Sequence, residues 1–108
     1  MNAELPPAVV GFFRAHNTGE TKDFASLFTA AAVVHDEERE HRGAAIKEWI
    51  DKAIEQYKPQ AEVLDAAASG DELTVTAQVS GTFPGSPVQL RYHFTLKGKK
   101  IATLSIRP

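Results

Sequence analysis

Three consecutive acids, Asp36, Glu37 and Glu38, close the apolar run Ala32-Val33-Val34-His35, and the chain carries four histidines, His16, His35, His41 and His93. Asp36 is in phase with Ala32 and Val34, so in an extended segment with a two-residue period it points to the same inward side. A carboxylate opening into an apolar hollow is a candidate general base for a proton beside a carbonyl. The competing reading makes Asp36 a turn residue, since aspartate is common in turns. If the turn after Asp36 is a tight hairpin, His35 and His41 come opposite each other, and Asp36 or Glu38 could join them on a metal. That pattern lacks a third firm ligand, so no metal and no cofactor are expected. The chain has no cysteine, which excludes disulfides, thiolate ligands and cysteine nucleophiles.

Helices and strands must position these groups. Pro6 and Pro7 suit a helix start, and Val9, Phe12, Phe13 and His16 follow at helical spacing before Gly19 stops the segment. Thr21 is placed to cap a short second helix carrying Phe24, Leu27 and Phe28. Residues 31–36 read as extended. From Gly43 a third helix shows one apolar face, Ile46, Trp49, Ile50, Ala53, Ile54 and Tyr57, and Pro59 ends it.

Beyond Pro59 the pattern alternates. Leu73, Val75, Ala77, Val79 and Phe83 share one parity; Val88, Leu90, Tyr92, Phe94 and Leu96 repeat it, and Ala102, Leu104 and Ile106 make a last strand. Turns at Ser69–Asp71, Pro84–Pro87 and Gly98 join neighbours into a meander of four antiparallel strands. The expected fold is α+β: one domain over residues 1–108, a cone of three N-terminal helices packed on a strongly curved antiparallel sheet, with Gly81 and Gly85 relieving the bend. The aromatic residues facing its interior either fill it or line a pocket.

Twelve basic against fourteen acidic residues give a net charge of -2, so no strong field favours nucleic acid. Lys97, Lys99 and Lys100 solvate a turn. The opening Met-Asn-Ala-Glu-Leu-Pro-Pro has neither the basic nor the apolar part of a secretory leader, and no stretch reaches membrane-spanning length, so a cytoplasmic protein without membrane partners is expected.

The element order, with the strings Asn17-Thr18-Gly19-Glu20, Phe24-Ala25-Ser26-Leu27-Phe28, Ala32-Val33-Val34-His35-Asp36 and Arg42-Gly43-Ala44-Ala45-Ile46-Lys47-Glu48-Trp49, resembles the nuclear-transport-factor-2-like superfamily. That superfamily includes ketosteroid isomerases and SnoaL-type polyketide cyclases. The resemblance implies that Asp36 stands where ketosteroid isomerases keep their proton-shuttling carboxylate, and Tyr92 where they keep an acid that donates to the developing oxyanion. Phe12 departs from the pattern, standing in place of the isomerases' helix-one tyrosine. Loss of one such donor typically costs about 10²–10³ in rate.

Two functions are therefore expected. The first is a small-molecule-binding protein whose apolar pocket is lined by Phe12, Phe13, His16, Phe24, Val34, Trp49, Tyr57, Phe83, Phe94 and Leu104, and which takes an apolar or carbonyl-bearing molecule. The alternative is an isomerase or cyclase-type enzyme using Asp36 as base and Tyr92 as hydrogen-bond donor. A third reading, a scaffold domain, applies if the aromatics fill the cone. The polar outer face of the sheet, with Thr74, Thr76, Gln78, Gln89, Arg91, His93 and Thr95, corresponds to a face on which relatives often pair, so a homodimer is expected.

Overall fold

The computed structural model describes residues 4–108; residues 1–3, where the expected leaderless start lies, are outside the described residues. Helix α1 runs Pro7–Thr18, and the Pro6 carbonyl accepts the Val9 and Val10 amides at 3.0 Å. Gly19 ends it at φ 80°, a left-handed conformation that glycine adopts without strain, its N–H donating to the Ala15 carbonyl at 2.9 Å. Helix α2 runs Ala44–Tyr57, burying Ile46 and Ile50, and Lys58 ends it in the left-handed region ahead of Pro59.

Among the described residues two α-helices form, where the sequence suggested three. The segment Phe24–Leu27 is one 3-10 turn, because Phe28 is drawn into the first strand and too few residues remain for an α-helix. Nor does Thr21 cap it: its hydroxyl donates to Asp51 of α2.

The described residues hold six strands: β1 Phe28–Asp36, β2 Arg39–Arg42, β3 Gln60–Ser69, β4 Glu72–Ser80, β5 Val88–Lys97 and β6 Lys100–Arg107. They form one sheet in the order β2-β1-β6-β5-β4-β3. The expected four-strand meander is β3 to β6. The β1–β2 hairpin joins it through a parallel pairing of β1 with β6, in which Val34 lies beside Leu104 and His35 beside Ser105.

The bend does not come from Gly81 and Gly85, which lie in the loop between β4 and β5. It coincides with bulges, where one strand carries extra residues against its partner and twists more strongly. Leu64 is unpaired between Val63↔Ala77 and Asp65↔Thr76, and Ala102 between Leu96↔Ile101 and Thr95↔Thr103. The second bulge resets the alternation of β6, so Ile101 and Leu104 are both buried while Ala102 is only half-buried.

Phe12 occupies the centre of the core. It is fully buried, and its ring centroid lies 5.1 Å from that of Phe13, 5.6 Å from Phe24, 5.5 Å from Phe94 and 5.9 Å from Tyr92. Packing of this density makes each ring worth about 3–5 kcal/mol against truncation to alanine. Among the described residues no helix is long and apolar enough to cross a membrane.

Candidate functional site

The apolar face of α2 does not close fully over the sheet. Between Trp49, Ile50, Ala53 and Tyr57 of the helix and Val79, Val88, Leu90, Tyr92 and Ile106 of the strands lies an open hollow of about 1100 Å³. Phe83 and Pro84 flank one side, the Asp36–Glu38 turn the other, and His16 stands at the inner end of α1. The hollow spills over the strand ends onto His35, Glu40, Ser105 and Arg107.

Register places the two candidate chemical groups at one level. Ile106 pairs with Tyr92 across β5–β6, and one residue beyond the His35↔Ser105 pair Asp36 comes level with Ile106 on β1. Asp36 and Tyr92 thus flank Ile106 on the inner face, their backbones about 10 Å apart, or two strand spacings. The Trp49 indole N–H donates to Asp36 Oδ2 at 3.0 Å, tying the acid to the helix above it.

Tyr92 is 2% exposed, and burial, with the Asp36 charge adding to it, pushes its phenol well above the ordinary range. It therefore stays protonated. Among the described residues no hydrogen bond reaches its hydroxyl, and no buried side-chain polar atom lacks a partner, so the hydroxyl opens on the hollow. A neutral donor thus faces a hollow that is apolar along Ile50, Val79, Val88, Leu90 and Ile106 and carries Asp36 and His16 at its sides.

His16 is nearly buried, and desolvation lowers its pKa against the opposing effect of Asn17. Its Nδ1 lies 2.9 Å from Asn17 Oδ1. The two hairpin histidines are not opposite each other: His41 pairs with Val34 and His35 with Glu40. The side chain of His41 stacks on Trp49 at 5.8 Å, while His35 Nδ1 lies 3.8 Å from Glu40 of the neighbouring strand. Among the described residues no three His, Asp or Glu side chains gather as metal ligands.

A SnoaL-like domain model matches residues 9–104. The chain belongs to the SnoaL-like family. A candidate polyketide cyclase from Sinorhizobium meliloti is 41% identical over 95% of both chains, with a TM-score of 0.91. A ketosteroid isomerase-like protein of Catenulispora acidiphila, solved with trimethylamine, shares the fold at 18% identity and a TM-score of 0.85, over 97% of this chain and 87% of that one. So does SalBIII, an epoxide hydrolase/cyclase-like enzyme of pyran ring formation in salinomycin, at 20% identity and 0.77, over 93% and 86%. No curated protein matches.

Within this SnoaL-like fold, the residues expected to line a pocket divide into two sets. His16, Trp49, Tyr57 and Phe83 line the hollow together with Asp36 and Tyr92. Phe12, Phe13, Phe24, Val34, Phe94 and Leu104 do not reach its surface; each is buried in the core behind the wall, covered by its neighbours. Filling and lining thus occur in different parts of the cone. Sequence reasoning passed over Asn17, whose place at a helix end beside Gly19 signalled only a stop. It also passed over Ile106 as the floor between Asp36 and Tyr92, which requires the β1–β6 pairing to be seen.

Proposed function

We propose that this SnoaL-like chain binds a small, largely apolar molecule bearing a carbonyl, with Tyr92 donating a hydrogen bond to the carbonyl oxygen. One observation carries the reading: the Tyr92 hydroxyl is neutral, unpaired among the described residues and open to a hollow walled mainly by apolar side chains. A guest lacking an acceptor would strip water from that hydroxyl and return nothing. Calorimetric titration with deoxybenzoin, a benzyl phenyl ketone, and bibenzyl, its hydrocarbon counterpart, tests it. The ketone should bind roughly fivefold to tenfold more tightly, and Tyr92→Phe should erase the difference. Equal binding of the two by the unmodified chain would sink the reading.

A second reading, acid–base catalysis of the isomerase or cyclase type, is favoured by Asp36 standing across Ile106 from Tyr92 with one carboxylate oxygen held by Trp49. Asp36 would take a proton from the carbon beside the carbonyl, and Tyr92 would donate to the enolate oxygen. The similarity to the Sinorhizobium meliloti protein adds support. Solvent-deuterium exchange at the deoxybenzoin methylene is the assay: the chain should accelerate it, and Asp36→Asn should reduce the acceleration by about 10²-fold or more. No acceleration, or none lost in the variant, leaves binding alone.

The outer face of β4 and β5, where Gln78, Gln89, Arg91 and His93 are exposed, is proposed as the surface of a homodimer. A one-chain mass by light scattering at micromolar concentration would refute it.

A further inference from the structure

His16 and Asn17 form a polar pair that the proposed function leaves unused. The Asn17 amide is clamped on both sides by one residue of β3: Oδ1 accepts the Ala61 N–H at 2.7 Å, and Nδ2 donates to the Ala61 carbonyl at 2.9 Å. Turned over, the amide would set N–H against N–H and oxygen against oxygen, so its orientation is fixed. Oδ1 is an acceptor, and the ring nitrogen 2.9 Å away, His16 Nδ1, must carry the hydrogen.

The ring is 7% exposed, and burial holds its pKa below the usual value, which keeps it neutral at neutral pH. In a neutral imidazole protonated at Nδ1 the lone pair sits on Nε2. Among the described residues nothing bonds Nε2, and no buried polar side-chain atom is left without a partner, so Nε2 meets accessible space. Two hollows touch His16. Asn17 lines the smaller, of about 200 Å³ at the end of α1, and not the larger. With Nδ1 held by Asn17, Nε2 is the ring nitrogen left free to face the larger hollow, which His16 also lines.

We propose that His16, locked by Asn17 as the Nδ1–H tautomer, is a hydrogen-bond acceptor at the α1 side of the main hollow, which therefore selects molecules carrying a hydroxyl as well as a carbonyl. The inference rests on the carbonyl-binding reading and narrows it to a hydroxylated ketone or its enol. Donor and acceptor border the same hollow and pack on the same two rings: His16 lies 6.1 Å from Phe12 and 6.4 Å from Phe13, and Tyr92 lies 5.9 Å and 5.1 Å from them. A guest without a hydroxyl leaves Nε2 desolvated and unpaired, and buried polar groups left in that state are what give a site its selectivity.

Two measurements decide it. Long-range nitrogen–proton correlation spectra of the full chain, with His16 assigned by its disappearance in His16→Phe, should show the hydrogen on Nδ1; a hydrogen on Nε2 overturns the proposal. In calorimetry, para-hydroxydeoxybenzoin should bind roughly fivefold more tightly than para-methoxydeoxybenzoin. His16→Gln, whose amide reaches the place of Nε2, should keep part of that preference, and His16→Asn, which reaches only the place of Nδ1, should lose it. The ratio is read within each variant, so partial loss of stability does not imitate the effect. Equal binding of hydroxy and methoxy compounds by a chain that still prefers deoxybenzoin to bibenzyl overturns this inference alone. Absence of the preference for deoxybenzoin itself removes the carbonyl-binding reading and the inference with it.

Discussion

Trp49, the chain's one tryptophan, donates its indole N–H to Asp36 Oδ2 at 3.0 Å, so the acid at the end of β1 belongs to the helix above as much as to its own turn. The indole is itself stacked on two rings, Phe12 at 6.5 Å and His41 at 5.8 Å. The carboxylate is therefore fixed in direction, and Oδ1 is left for a guest.

Trp49→Phe keeps an aromatic ring in place but removes the donor. Chemical denaturation should show a loss of about 1–2 kcal/mol, because a hydrogen bond to a carboxylate is lost along with some packing. Asp36→Asn still offers the indole an oxygen and should cost less, about 1 kcal/mol at most. Deuterium exchange on deoxybenzoin should rank the two variants the other way, with Asp36→Asn the more damaging. The same ranking in both assays would mean that Asp36 acts only as a strut.

Asp36 is also aimed by a strained turn. Glu37 at φ 51° and Glu38 at φ 64° are both left-handed, the pattern of a two-residue hairpin that normally selects Asn-Gly. Glu37→Asn combined with Glu38→Gly should relieve more strain than the added glycine costs in chain entropy, a net gain of about 1 kcal/mol. On a domain of this size that is a rise of roughly 4 °C in the thermal midpoint. A fall in the midpoint would show that the acids gain more from their surroundings than their backbone loses.

This turn shows how far the sequence could be read. The alternation through Ala32, Val34 and Asp36 gave the inward phase of the acid because a two-residue period is local information, and Ile46 to Tyr57 gave α2 for the same reason. The acids after Val34 suggested a turn, but Glu37-Glu38 carries no signature of its type, so the register, and with it the offset of His41 from His35, is visible only in the pairing of Val34 with His41. The bulge at Ala102 is likewise invisible, since Ile101 and Leu104 are both buried on account of a register set by neighbouring strands. Pocket lining was legible only in part: apolar inward residues are marked by pattern, but whether a ring meets another ring, as Phe12 does, or open space, as Phe83 does, depends on how far α2 stands off the sheet.

His16 should make the fold acid-sensitive. Its pKa in the folded chain is below the usual 6.5, so beneath that pH the unfolded chain binds more protons than the folded one. The stability present above 6.5 is therefore lost as pH falls through the folded value. Denaturation of the unmodified chain and of His16→Phe at about pH 7.5 and about pH 5 should show a larger drop for the unmodified chain, the other histidines being common to both. Equal drops would place the ring in water rather than in the wall.

The remaining wall depends on Gly81. A Cβ there would lie 2.5 Å from the Tyr57 carbonyl oxygen and 3.1 Å from Phe83 Cε1, and the first of these is backbone that cannot swing away. The same carbonyl accepts the Thr82 N–H at 2.8 Å, and the Gly81 N–H donates to Ser86 Oγ at 2.9 Å, so the β4–β5 loop is stitched to the end of α2 at this point. That stitching sets Phe83 edge-on to Tyr57 at 5.8 Å, which forms one side of the hollow. Gly81→Ala should push the loop outward, cost about 1–3 kcal/mol and weaken deoxybenzoin binding with it. Gly85→Ala, at φ 86° with nothing within 4 Å of the added carbon, is the control. It should cost about 1 kcal/mol through backbone conformation and leave binding unchanged. If both substitutions lowered stability but neither altered binding, Phe83 would not be part of the surface that holds the guest.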